Sequence, residues 1–254
     1  MKILVGCKIV PEDQDIVVNK DGSLDMSKAM PKISQFDLNA IEAAAELKAN
    51  NADITVIALS IGGKYLDNAK VRKDLLSRGP DELNIVMDEK YENLLPEQTA
   101  KIMANTAQSI GFDLILCGDG SGDLYAQQTG VRLGALLNIS TVSGVSKIIS
   151  LDGSKIVIER ALENEIEVLE VSLPAVISVS ADINTPSIPG MKSIMLAGKK
   201  PINVMTDGAE YMGIVDVASV KAPQKKDRKH LIIEGDSDDK ISEFVSHIRT
   251  ISNL

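Results

Sequence analysis

The sequence predicts an α/β protein: a mainly parallel sheet with helices on both faces, an antiparallel extension and a C-terminal arm. Three observations carry that expectation. Short apolar runs alternate with amphipathic stretches as far as about Leu137. Those runs are apolar throughout, as strands buried on both faces require. Beyond Leu137 the pattern changes to closely spaced β-type segments, which would extend the sheet with antiparallel hairpins.

The first run, 2–9, reads as a buried parallel strand ending before Pro11. Asp21-Gly22 between two short alternating stretches marks a hairpin turn. Over 34–48, Phe36, Leu38, Ile41, Ala44, Ala45 and Leu47 recur at helical spacing, with Ser34 or Asp37 available as a cap. Residues 54–61 form the next strand, broken by Gly62-Gly63. A helix over 66–76 is stopped by Gly79-Pro80, and 82–87 is a strand. A helix over 96–110 carries Pro96 in its first turn. A strand over 113–117 empties into the glycine-rich loop 118–122, and 126–137 is helical.

Val142, 148–149, 155–160 and 165–170 read as β elements, and 175–180 as another buried strand. Within them, charge alternates with apolar residues over 158–167, the pattern of a solvated hairpin. Residues 182–200 carry Pro186, Pro189, Gly190 and Gly198 and are expected to be a long loop, a kind of segment that usually carries function. A polar, basic linker is expected over 222–228. An amphipathic helix over 238–251 follows, with Ile241, Phe244, Val245, Ile248 and Ile251 on one face. That face must fold back on the core or dock on a partner. The expected division is a domain over 1–200 and a C-terminal extension over 201–254.

Composition narrows the function. The 254 residues carry a net charge of −9, 3% aromatics and no Trp, which argues against nucleic-acid and anionic-membrane partners. Cys7 and Cys117 sit in apolar runs and read as core thiols. The histidines, His230 and His247, both lie near the C-terminus, away from any cysteine or carboxylate cluster, so a catalytic zinc or a His-based triad is not expected. Carboxylates paired with a base or nucleophile do not stand out, so an enzyme is not expected. With no stretch apolar enough to span a bilayer and no signal-peptide layout, a cytoplasmic protein is expected.

The strongest chemical signal is 113–130, where a strand runs into Gly118, Gly120 and Gly122 and a helix follows. Ligands of open α/β sheets bind beyond the carboxyl ends of strands, and helix starts attract phosphate. Gln127, Gln128 and Thr129 would add neutral donors. There is no Walker lysine and no G-x-G-x-x-G spacing. An ordinary strand–loop–helix junction has the same glycines, so these residues alone leave both readings level. Two further strand ends, Gly6-Cys7-Lys8 and 58–63, could line the same pocket.

Taken together, these segments resemble the beta subunit of electron transfer flavoproteins over roughly the whole chain. The opening KILVGCKIVP (2–11), the helix ISQFDLNAIEA (33–43), LSIGG (59–63) with Arg78-Gly79, and GDLYAQQTG (122–130) carry the resemblance. The family signature is similar to Arg160, Glu163, Glu167 and Leu173-Pro174-Ala175, with Asn164 and Glu165 departing from it. The wording of 35–42, 73–81 and 118–127 is closest to the FixA proteins of anaerobic carnitine metabolism.

That resemblance implies an adenine nucleotide alpha hydrolase-like fold and a heterodimer with an alpha subunit (FixB-like) holding the redox FAD. This subunit would carry AMP, or a second FAD if the protein bifurcates electrons. The implied nucleotide contacts are Gly6, Cys7, Lys8, Ser60, Gly62, Gly120, Asp123, Gln127, Gln128, Thr129 and Gly130. The loop 182–200 would dock an acyl-CoA dehydrogenase or a reductase such as a crotonobetainyl-CoA reductase. Met191 stands where the family often has leucine, flanked by Ile188 and Ile194, while Phe244 and Ile248 would face the partner subunit. A nucleotide-sensing stress protein shares the fold but needs a G-x-x-G phosphate loop that 118–130 does not match. An ATP pyrophosphatase needs an S-G-G-x-D-S loop where Gly6-Cys7-Lys8-Ile9 stands.

Overall fold

The computed structural model describes residues 1–205, 211–224 and 230–252. They fall into two compact units, Met1–Val17 with Asp25–Ser219, and Val18–Leu24 with Val220–Leu254. In chain order the elements are β1 (Lys2–Gly6), β2 (Ile9–Pro11), β3 (Val17–Val18), β4 (Leu24–Asp25), β5 (Pro31–Ile33), α1 (Gln35–Asn50) and β6 (Thr55–Gly62). Then come α2 (Ala69–Ser77), β7 (Glu82–Met87), α3 (Pro96–Ile110), β8 (Leu114–Gly118), α4 (Thr129–Leu137), β9 (Ser140–Leu151) and β10 (Lys155–Ala161). The last are β11 (Ile166–Ser172), β12 (Ala175–Val179), α5 (Met191–Ala197), β13 (Ile202–Met205) and α6 (Asp238–Ser252).

Among the described residues, nine strands form one sheet in the order β11-β10-β9-β12-β8-β1-β6-β7-β13. From β9 to β13 every neighbour is parallel, while β10 runs antiparallel to both β9 and β11. The expected α/β fold with an antiparallel extension is what forms. Alternate residues of the central strands point to opposite faces. Ile3, Val5, Leu114 and Leu116 pack with α1, α2 and Ala197 of α5. Leu4, Ile115 and Cys117 pack with α3 and Leu133 of α4. Both faces are thus covered, which is why these runs show no polar alternation. Arg160 Nε donates to Glu167 Oε2 across β10 and β11 (2.6 Å), the solvated hairpin that the charge pattern predicts.

Several boundaries differ from expectation, each for a local reason. The run 2–9 is split because β1 ends at Gly6 and Ile9 pairs with Ile33 of β5. The helix expected over 66–76 starts at Ala69, because Asn68 Oδ1 caps Lys70 N and Val71 N (3.0 and 3.1 Å). The helix expected over 126–137 starts at Thr129, because Tyr125 (φ 44°) and Gln127 (φ 56°) are left-handed. The segments at Val142 and 148–149 are one strand, β9, turned at Gly144 (φ 69°). Residues 182–200 are not loop throughout: α5 lies inside, anchored by buried Ala197. Neither Ser34 nor Asp37 caps the first turn of α1 with its side chain; both reach instead to the β8 loop. The linker expected over 222–228 lies partly outside the described residues.

Within the second unit, its two segments meet through an antiparallel bridge between Ser23 and Lys221 and through Ala222 N donating to Gly22 O (2.9 Å). Its helix α6 exposes Ile241, Phe244, Val245, Ile248 and Ile251. No helix of the described residues is long and apolar enough to cross a membrane.

Candidate functional site

β1 lies between β6 and β8. From β1 the chain builds outward through β6 and β7, then returns through α3, on the opposite face from α1, to place β8 on the other side. Strand order reverses there, and a crevice opens beyond the strand ends. The crevice is a cleft of about 1100 Å³, counting its open mouth. The tips of β1, β6 and β8 form one side. Tyr91, Glu92, Leu94 and the N-terminal half of α3 (Pro96, Thr99, Met103) form the other.

Gly6, Cys7, Lys8, Gly62, Gly120, Gln127, Gln128, Thr129 and Gly130 all line this cleft. Residues from three separate strand ends are therefore brought together. Ser60 and Asp123 are not among the lining residues. Ser60 is buried, and its Oγ donates to Cys7 O (2.6 Å), bracing the β1 tip from behind. Asp123 accepts from Lys8 Nζ (2.6 and 2.9 Å), an ion pair joining the β1 and β8 loops. Ile188, Met191 and Ile194 lie on and before α5, Ile188 at 93% exposure and Met191 at 74%; Phe244 and Ile248 lie on α6.

The β8 loop needs its glycines for close approach. A Cβ on Gly118 would sit 2.6 Å from the backbone of Phe36, and one on Gly120 would sit 2.3 Å from the Tyr125 ring. That ring packs on Phe36 with centroids 4.8 Å apart. Gln127 Nε2 donates to Asp119 Oδ2 (2.5 Å), and Gln128 Oε1 accepts from Arg132 Nε (3.1 Å). Gly122 N donates to Ser34 Oγ (3.3 Å).

Sequence reasoning missed Asp37. Its carboxylate is buried and accepts from Lys8 N (2.7 Å) and Gly118 N (3.2 Å), tying two strand tips to α1. Burial pushes its pKa up to about 7, against the hydrogen bonds from Lys8 and Gly118. The available signal was an acid in the first helical turn followed by apolar residues; it reads first as a cap. The aromatic pair and Met103 of α3 were missed as well, since their elements are distant in sequence, whereas Leu59 falls within the expected strand end 58–63.

Cys7 and Cys117 are free and buried, and they belong to the cores on opposite faces of the sheet. Burial pushes Cys117 up to about 12 and raises Cys7 as well, so neither is a thiolate nucleophile. Among the described residues no cluster of His, Cys, Asp or Glu could hold a metal ion.

An adenylate suits this donor set. Half-buried Ile61, beside the buried side chains of Leu59 and Met103, offers apolar surface to a base, while glycine backbone, Gln127, Gln128 and Thr129 offer neutral polar groups to sugar and phosphate.

Fold and cleft together define an α/β protein with an open cleft where its strand order reverses. Residues 23–209, more than half of the chain, match the electron transfer flavoprotein domain. The chain belongs to that family, whose members are flavoprotein-associated electron carriers working with a partner subunit.

Proposed function

We propose that this chain is the beta-type, FixA-like subunit of a cytoplasmic electron transfer flavoprotein and that its cleft holds an adenine nucleotide. The observation carrying the reading is the meeting of Gly6–Lys8, Gly62, Gly118–Ser121 and Ala126–Gly130 around one cleft at the switch point. The nucleotide is AMP, or a second FAD if the protein bifurcates electrons. The base lies toward Leu59, Ile61 and Met103, and the phosphate side toward Gly120, Gln127, Gln128, Thr129 and Gly130.

The redox FAD sits mainly in the alpha subunit, where it supplies electron carriage. This chain's residues bind, order and shield. The nucleotide fills the cleft and stiffens the strand tips. Phe244 and Ile248 of α6 offer apolar surface to the alpha subunit. Ile188, Met191 and Ile194 offer a second apolar patch to an acyl-CoA dehydrogenase or a reductase of the crotonobetainyl-CoA type. The FixA wording of the sequence supports a role in carnitine metabolism.

The test is to purify the chain, release its ligand by denaturation and weigh it. An adenine nucleotide supports the reading, and its mass separates AMP from FAD. A preparation free of adenine nucleotide that fails to bind either compound when supplied would overturn it. Co-purification of a larger flavin-bearing subunit tests the heterodimer.

A further inference from the structure

We propose that Asp37 is the positioning residue of the cleft: it clamps the tips of β1 and β8 together, and loss of its charge loosens the cleft's hold on an adenine nucleotide. The inference rests on the reading of the cleft given above.

The geometry is specific to a carboxylate. One oxygen accepts from Lys8 N and the other from Gly118 N, and both residues line the cleft. Two amide donors converge on one side chain, and only an ionised carboxylate accepts fully from both. The approach is as close as backbone allows: a Cβ on Gly118 would sit 2.7 Å from Asp37 Oδ1. The start of α1, the end of β8 and the turn after β1 therefore interlock at Asp37. Lys8 N takes this partner just past the end of β1, where Cys7 N makes a bond to β6 at Leu59 O (2.9 Å).

The clamp can be released near neutral pH. Asp37 is buried, and that burial holds its pKa at about 7. The groups facing it are few. Lys8 carries the nearby positive charge, itself paired with Asp123. Cys7, just after β1, and Cys117 from β8 are both neutral, and Ser34 contributes a hydroxyl. Once Asp37 takes a proton, one oxygen becomes a donor facing an N–H. One tip then loses its acceptor.

The full-length chain and its Asp37→Asn variant are titrated with AMP at about pH 8 and about pH 6, and amide hydrogen exchange is read at Lys8 and Gly118. The expected result is wild-type binding about tenfold weaker at the lower pH, as a group titrating near 7 dictates. Asp37→Asn is expected to bind weakly at both, and any dependence it keeps belongs to the phosphate, whose own second pKa is about 6. Lys8 and Gly118 amides lose protection in the variant while Leu116 keeps its own. Because wild type alone reports the pH change, a variant that fails to fold does not spoil the test. Wild-type affinity that varies no more than the phosphate titration requires, with Lys8 and Gly118 equally protected at both pH values, overturns the proposal. Failure of AMP and FAD to bind wild type at the higher pH overturns the reading of the cleft instead, and the exchange rates then decide the clamp.

Discussion

Asn39 and Asn184, 145 residues apart in sequence, hold each other reciprocally: Asn39 Nδ2 donates to Asn184 O (2.9 Å), and Asn184 Nδ2 donates to Asn39 O (3.1 Å). Ser187 adds two bonds to Glu42 Oε2, from its N (3.1 Å) and Oγ (2.8 Å). The segment leading to α5 is thus fastened to α1, whose first turn carries Asp37 at the cleft.

Replacing Asn39 with Ala removes the one side-chain amide that serves Asn184 O, Asn184 Oδ1 and Ala181 O. Unfolding free energy should fall by about 1–3 kcal/mol, the cost of leaving a buried polar group short of partners. Urea unfolding measures it. Limited proteolysis should also cut faster between 182 and 190, where the fastening is lost.

Gly118→Ala places a methyl against the Phe36 backbone and the Asp37 carboxylate. Because neither neighbour is a flexible side-chain end, the β8 tip must move off α1. The expected loss is about 1–3 kcal/mol, with weaker AMP binding. Gly153→Ala, whose Cβ would meet nothing within 4 Å, serves as the neutral control. Equal melting temperatures for the two variants would contradict the packing described.

Asp37 also gives stability a pH dependence whose sign is fixed. Its folded pKa is about 7, above the ordinary 3.8, so the folded chain keeps a proton that the unfolded chain releases. Stability attributable to Asp37 is therefore greatest at low pH, falls from about pH 4 to about pH 7 and is flat above, by on the order of 4 kcal/mol. The slope difference between wild type and Asp37→Asn in denaturant unfolding isolates it.

Lys8→Met removes a partly exposed ion pair with Asp123. Such a pair contributes under about 1 kcal/mol, so melting should scarcely change. AMP binding should weaken about tenfold and lose part of its salt dependence, since a cation at the cleft is gone. A titration at two ionic strengths checks both expectations; unchanged affinity would place Lys8 outside the ligand's reach.

Met191→Asp puts a charge on a 74% exposed side chain and should leave unfolding untouched. Electron transfer with the proposed dehydrogenase or reductase should slow at least tenfold if this patch is desolvated on docking. Stopped-flow reduction of the heterodimer reads the effect, and an unchanged rate assigns docking to another surface.

Much of this chain was legible because its elements are locally encoded. The strands at 82–87 and the helix at 96–110 match their expected bounds, since apolar runs and Pro96 act within a few residues. Element starts failed where a competing side chain intervened, as with Asn68, or where Tyr125 and Gln127 adopt left-handed backbone that no composition announces. Of the expected contacts, Gly6, Gly62 and Gly120 line the cleft, while Ser60 and Asp123 support it from outside the lining.

The sequence by itself determined the alternation of strands and helices, the double-sided burial of the sheet and the inert setting of both cysteines, because hydrophobic periodicity and turn chemistry are short-range. Only the tertiary structure decided that Asp37 is a buried clamp instead of a helix cap, and that α1 spans from the cleft to Asn184. Burial and hydrogen-bond partners are properties of neighbours in space, and the amides of Lys8 and Gly118 reach Asp37 from 29 and 81 residues away.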